Sequence, residues 1–156
     1  MPMPAVGEPF RDFKLGGFDS AKARADRPLV VIIWKIGCST SRMTLPFFDR
    51  LQDAYEGAEV VGVAQESSED LGDYALTQGI GFGQLADADL EVTRLFGVEF
   101  VPAYWLTGSD GIVIEAGGGW DRSRIESLGQ ELARLLGVKE RKIVLPEDQV
   151  PDFQPG

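Results

Sequence analysis

Histidine is absent from this chain, and cysteine occurs once, as Cys38, among 156 residues. A disulfide within the chain is therefore excluded, and a lone thiol fits a reducing compartment. A zinc centre built from the usual imidazoles and thiolates has no ligand set here, so no metal is expected. Basic residues are also scarce: 15 Lys and Arg stand against 25 Asp and Glu, a formal net charge of −10. Charge of that sign repels phosphate backbones and anionic lipid surfaces, which argues against nucleic acid as a partner. No apolar run approaches the ~18 residues that a membrane span needs. The segment from Met1 to Phe10 lacks the basic and apolar stretches of a secretory signal. A cytoplasmic location is expected on that ground, although a start trimmed behind a removed signal would read the same way. Internal repeats and low-complexity tracts are missing too.

What remains is 44% hydrophobic, enough for one core in a single domain. The chain is organised around Leu29 to Arg42. Leu29-Val30-Val31-Ile32-Ile33 is an apolar, largely β-branched run and reads as a buried strand. It leads through Trp34, Lys35, Ile36 and Gly37 to Cys38, and Ser39, Thr40 and Ser41 then supply helix-start chemistry. A thiol at a helix N-terminus faces unpaired N–H groups and the positive end of the dipole, both of which favour the thiolate. The single soft nucleophile thus stands where it would be activated.

Along the chain, Phe10 to Leu15 alternates like an edge strand, and Phe18 follows the Gly16-Gly17 break as a short partner. The helix after Cys38 carries Met43, Phe47, Leu51 and Tyr55 as one stripe, with Pro46 expected to kink it. Ala58 to Ala64 reads as a second buried strand. Ser67 and Asp70 open a helix that Gly79 stops. Asp87 opens a shorter one, with Leu90, Leu95 and Phe96 expected inward. Ala103 to Thr107 and Ile112 to Glu115 form a hairpin across Ser109-Asp110-Gly111. The last helix starts near Asp121 or Ser123, with Ser123 and Glu126 as a capping box, and ends at Gly137. The glycines at 79, 81 and 83 and at 117–119 read as loop and strand-end punctuation, since neither group has phosphate-loop spacing. The order of elements implies an α/β fold, a mixed central sheet flanked by helices. The expected domain covers residues 1–137, and 138–156 is expected as an extended or partly disordered tail.

Several stretches match a known family. They are Gly7-Glu8-Pro9-Phe10, then Trp34 to Arg42 with Cys38 and Ser41 in a Cys-x-x-Ser arrangement before Pro46, then Gly97-Val98-Glu99-Phe100-Val101-Pro102, and the Asp110-Gly111 turn. In this order the chain resembles the thioredoxin superfamily, and within it the TlpA/ResA-like thiol–disulfide branch. The resemblance implies a thioredoxin-like fold with an N-terminal extension and thiol–disulfide oxidoreductase activity without a bound cofactor. It also implies protein or small-molecule thiols and disulfides as partners. It makes Cys38 the attacking thiol, Pro102 the cis-proline, and Val101 the backbone contact for an extended substrate. Trp34, Gly37, Ser39 and Thr40 are the other expected substrate contacts.

The departures bear on mechanism. The family's second cysteine is Ser41 here, so a mixed disulfide on Cys38 would need an outside thiol to resolve it. The family's buried acid on the central strand is replaced by Ile32, and the aromatic before the Cys by Gly37. Monothiol chemistry at Cys38 survives these changes, with Ser41, Lys35 and Arg42 able to stabilise the thiolate. Two other readings stay open. One is a binding module that has lost redox cycling and holds an extended peptide at Pro102. The other is a one-Cys peroxidase of the AhpC/TSA antioxidant type, whose Pro-x-x-x-Thr-x-x-Cys pattern would place Pro at Val31 and Thr at Lys35. Oligomeric state is not legible.

Overall fold

The computed structural model describes residues 2–156. Lys14–Leu15 (β1) and Phe18–Asp19 (β2) form a small hairpin that runs into Ser20–Asp26 (α1). Leu29–Trp34 (β3) and Ser39–Ala54 (α2) follow, then Glu59–Ala64 (β4), Ser68–Gln78 (α3), Gly83–Ala86 (β5) and Glu91–Leu95 (α4). Ala103–Thr107 (β6) and Val113–Gly118 (β7) make the hairpin; Trp120–Asp121 (β8), Arg122–Leu136 (α5) and Phe153–Gln154 (β9) complete the chain. The main sheet has the order β5-β4-β3-β6-β7. Its β3, β4 and β5 are parallel to one another, while β6 and β7 run antiparallel to their neighbours. This is the thioredoxin-like mixed sheet.

All 6 residues of β3 are buried, because it is the middle strand and both of its faces are covered. The strand's period of two sends alternate residues into two cores. Val30, Ile32 and Trp34 join Leu45, Phe48 and Leu51 of α2 and Ile125, Leu128 and Leu132 of α5. Leu29, Val31 and Ile33 meet Phe10, Phe13, Val92 and Phe96 on the other face. The C-terminal end of β3 therefore delivers Cys38 to the end of the central strand, braced from both sides. Among the described residues, no helix is long and apolar enough to cross a membrane.

Several sequence expectations need correction. The expected strand from Phe10 contracts to β1, since Phe10 and Phe13 both turn into the same core instead of alternating. Asp12 between them is held by Ser20 and by Arg24 at 2.9 and 2.6 Å. Helix α1, capped by Asp19, and strand β5 were not foreseen. The buried positions are Val92 and Thr93 in α4 and, just beyond it, Phe96 as expected, whereas Leu90 and Leu95 are 38% and 36% exposed. The buried Asp87 carboxylate accepts from the amides of Val92 and Thr93, which turns that helical face inward. Asp121, not a Ser123–Glu126 box, caps α5. Glu126 instead accepts from the Val144 amide at 2.7 Å. As expected, Pro46 lies inside α2, which runs on to Ala54.

The segment 138–156, expected as an extended or partly disordered tail, lies against the domain, with a 3-10 turn at Pro146–Asp148 and strand β9 near its end. Ile143 and Val144 are buried in the α2–α5 core. Asp148 receives both terminal nitrogens of Arg50 at 2.7 and 2.8 Å. Strand β9 then pairs antiparallel with β8.

Candidate active site

Cys38 is itself the N-cap of α2. Its backbone is extended (φ −101°, ψ 116°), and its sulfur accepts from the Ser41 amide at 3.4 Å. The cap role expected of the neighbouring hydroxyls falls to the thiol because the turn at Ile36-Gly37 brings Cys38 to the helix mouth. Opposite, the Val101–Pro102 peptide bond is cis. The Cys38 S–H donates to the Val101 carbonyl at 3.4 Å. Cys38 and Val101, separated by 63 positions in sequence, thus meet at one pocket.

The other expected site residues divide sharply. Gly37 and Ser39 are exposed beside Cys38. Ser41 is fully buried, and its Oγ accepts from the Lys35 amide at 3.3 Å, which leaves the hydroxyl hydrogen free for the sulfur. Thr40 is buried too, with its hydroxyl donating to the Pro155 carbonyl at 2.8 Å. Pro102 is buried against the loop. Trp34 does not touch the pocket: it lies in the core with its indole N–H donating to Gln84 at 2.9 Å. As the last residue of β3 it is fully buried, which leaves none of it exposed for the expected substrate contact.

A pocket of about 280 Å³ opens at Cys38, lined by Lys35, Gln65, Val98, Glu99, Phe100, Val101 and Gly156. Val98, Glu99 and Phe100 belong to the Gly97–Pro102 stretch but carried no expected role, and nothing local in the sequence marked Gln65 or Gly156. Glu66 adds a brace, accepting from the Ile36 amide at 2.8 Å and fixing the turn before Cys38.

The electrostatics of the thiol are a balance. Partial burial pushes its pKa up, since a thiolate is poorly solvated there. The Ser41 amide, the Ser41 hydroxyl, the Thr40 amide and the charge of Lys35 all favour the thiolate, and together they bring the pKa below its ordinary value. The S–H···O=C bond to Val101 holds the protonated form and opposes them, but a thiol is a weak donor. The arrangement therefore presents a thiolate-prone sulfur at the rim of a pocket. It contains no second thiol.

Known proteins agree with this architecture. A candidate thiol:disulfide interchange protein DsbE from Chlorobium tepidum superposes with a TM-score of 0.76 at 23% identity, covering 86% of this chain and 99% of its own. StoA from Bacillus subtilis gives a TM-score of 0.63 at 19% identity, covering 83% and 99%. A secreted disulfide oxidoreductase of Mycobacterium tuberculosis, homologous to DsbE of E. coli, gives 0.62 at 20%, covering 76% and 88%. At these identities the likeness is one of fold. None of the curated proteins compared matches the chain by sequence. The sequence profile of the AhpC/TSA family, however, matches residues 6–116, a span that holds the N-terminal segment, β3, Cys38 and the Val101–Pro102 loop. With that span covering most of the domain and its site, the chain belongs to the AhpC/TSA family.

Proposed function

We propose that this protein is a thiol–disulfide oxidoreductase that works through Cys38 alone. The observation that carries the reading is the sulfur at the α2 N-cap, held by the Ser41 amide and facing the Val101 carbonyl at the mouth of a pocket. The Cys38 proton leaves to solvent, and the thiolate attacks one sulfur of a disulfide RS–SR. One S–S bond forms, one breaks, and RS⁻ departs. Because Ser41 offers only a hydroxyl, the mixed disulfide persists until an outside thiolate attacks its R-bearing sulfur, forming a new disulfide and releasing Cys38 as thiolate. Electrons move only between sulfurs, so no bound cofactor is required. The roles follow: Cys38 is the nucleophile, Ser41 positions and stabilises it, and the Val101–Pro102 loop aligns the incoming disulfide.

The test is exposure of the full chain to oxidised glutathione, followed by intact-mass measurement. One glutathione adduct, removed by added thiol and absent in Cys38→Ala, is the expected result; an unmodified chain overturns the reading. Membership of the AhpC/TSA family favours a second reading, reduction of peroxide at the same sulfur, in which the thiolate attacks one peroxide oxygen, the O–O bond breaks, water or an alcohol leaves and Cys38 becomes a sulfenic acid. Against it stand Val31 and Lys35 at the positions where the peroxidase pattern has Pro and Thr. Rapid trapping of a sulfenic acid by dimedone at micromolar hydrogen peroxide, with slow glutathione coupling, would favour peroxidase over exchange.

A further inference from the structure

Residues 151–156 run back toward the Cys38 pocket, and Gly156 lines it. They are held at several points: the Trp120 indole N–H donates to the Pro151 carbonyl at 2.6 Å, and the Arg122 amide to the Asp152 carbonyl at 2.9 Å. Gln154 is paired with Trp120 across the β8–β9 ladder. Its side-chain amide donates to the Thr40 hydroxyl at 2.7 Å, and that hydroxyl donates in turn to the Pro155 carbonyl at 2.8 Å. Gly156 then lies against the Val101 carbonyl so closely that a Cβ on it would collide with that oxygen.

The path matters because the Val101 carbonyl is also within hydrogen-bond reach of the Cys38 sulfur, at 3.4 Å. An extended polypeptide delivering a disulfide to Cys38 must cross Val101, where main-chain pairing would supply its affinity. That lane is taken. A tethered strand acts at an effective concentration of roughly millimolar, so an outside chain at micromolar concentration competes poorly. What stays open is the pocket of about 280 Å³, with Lys35 and Glu99 offering one charge of each sign at its rim.

We infer that residues 151–156 are a built-in occupant of the polypeptide lane, and that the substrates of Cys38 are low-molecular-weight disulfides rather than extended polypeptides. This rests on the monothiol reading above. Cys38 thiolate attacks one sulfur of the small disulfide, takes that half as a mixed disulfide, and releases the other half as its thiolate.

The experiment compares two coupling rates on the full chain, one with oxidised glutathione and one with the symmetrical disulfide of an extended peptide bearing a central cysteine. Glutathione coupling is expected to be faster by about tenfold or more, the scale on which a tethered competitor acts. In Gly156→Leu, whose side chain cannot sit against Val101, the ratio of the two rates is expected to fall toward one. Gln154→Ala, which frees Thr40 without adding bulk, should lower it less. Equal rates in the full chain, or a ratio unmoved by both variants, overturn the inference while leaving Cys38 active. Absence of any adduct from either disulfide in every form overturns the monothiol reading, and this inference with it.

Discussion

The amide of Ser41 donates to the Cys38 sulfur at 3.4 Å, so the residue standing where a second cysteine would be serves the first through its backbone. Its hydroxyl adds a second interaction favouring the thiolate, against the burial that opposes it. Alkylation of Cys38 by iodoacetamide is expected to follow a midpoint pH below that of a free cysteine. Ser41→Ala keeps the amide and loses the hydroxyl, so its midpoint should rise toward that of a free cysteine. Alkylation at or above the free-cysteine midpoint would mean that burial wins and that the sulfur is not activated.

The parts of this architecture that were legible in the sequence are those whose cause is local. Leu29 to Trp34 announces a central strand because burial on both faces demands an unbroken apolar run. Cys38 and Ser41 sit in one contiguous turn. Ser67, Gly79 and Gly137 mark helix ends through short-range capping, and the two glycines do so in the left-handed conformation. What was not legible depends on distant partners. Strand β5 is short, at a sheet edge and only half-buried, so its pattern is weak. The packing of residues 138–156 depends on Ile143 and Val144, which follow a charged run, and on Arg50, Thr40 and Trp120 far back in the chain. No window of sequence contains both sides of those contacts.

Gly62, in the middle of β4, leaves space that Gln84 of β5 fills; a Cβ at Gly62 would collide with the Gln84 side-chain oxygen. That oxygen accepts the buried Trp34 indole N–H at 2.9 Å. Gly62→Ala should therefore displace Gln84, strand the indole without an acceptor, and cost about 1–3 kcal/mol of stability. Because the damage passes through Gln84, Gly62→Ala combined with Gln84→Ala is expected to lose less than the sum of the two single losses. Urea unfolding of the four forms checks both points. Strict additivity would disprove the coupling.

Asp148 anchors the C-terminal segment, and its pKa reads as an acid switch for that anchor. The two hydrogen bonds from Arg50, with the Leu145 amide as a further donor, lower it from 3.8 to about 2. A carboxyl with a depressed pKa in the folded state contributes stability that is fully present above its unfolded value. That contribution is lost as the pH falls through the folded value, because the unfolded chain then binds more protons. The contact is thus intact at neutral pH and weakens progressively between about 4 and about 2. Asp12 is also depressed, by Arg24 and Ser20, so acid sensitivity alone does not single out Asp148. Pepsin, which works in this range, makes the distinction. Cleavage within residues 138–156 is expected to appear before the far-ultraviolet circular dichroism of the domain is lost. Arg50→Met, which leaves Asp148 without its guanidinium, should bring that cleavage on at higher pH. Cleavage with the same pH onset in both forms would show that the Arg50–Asp148 pair does not govern release of the segment.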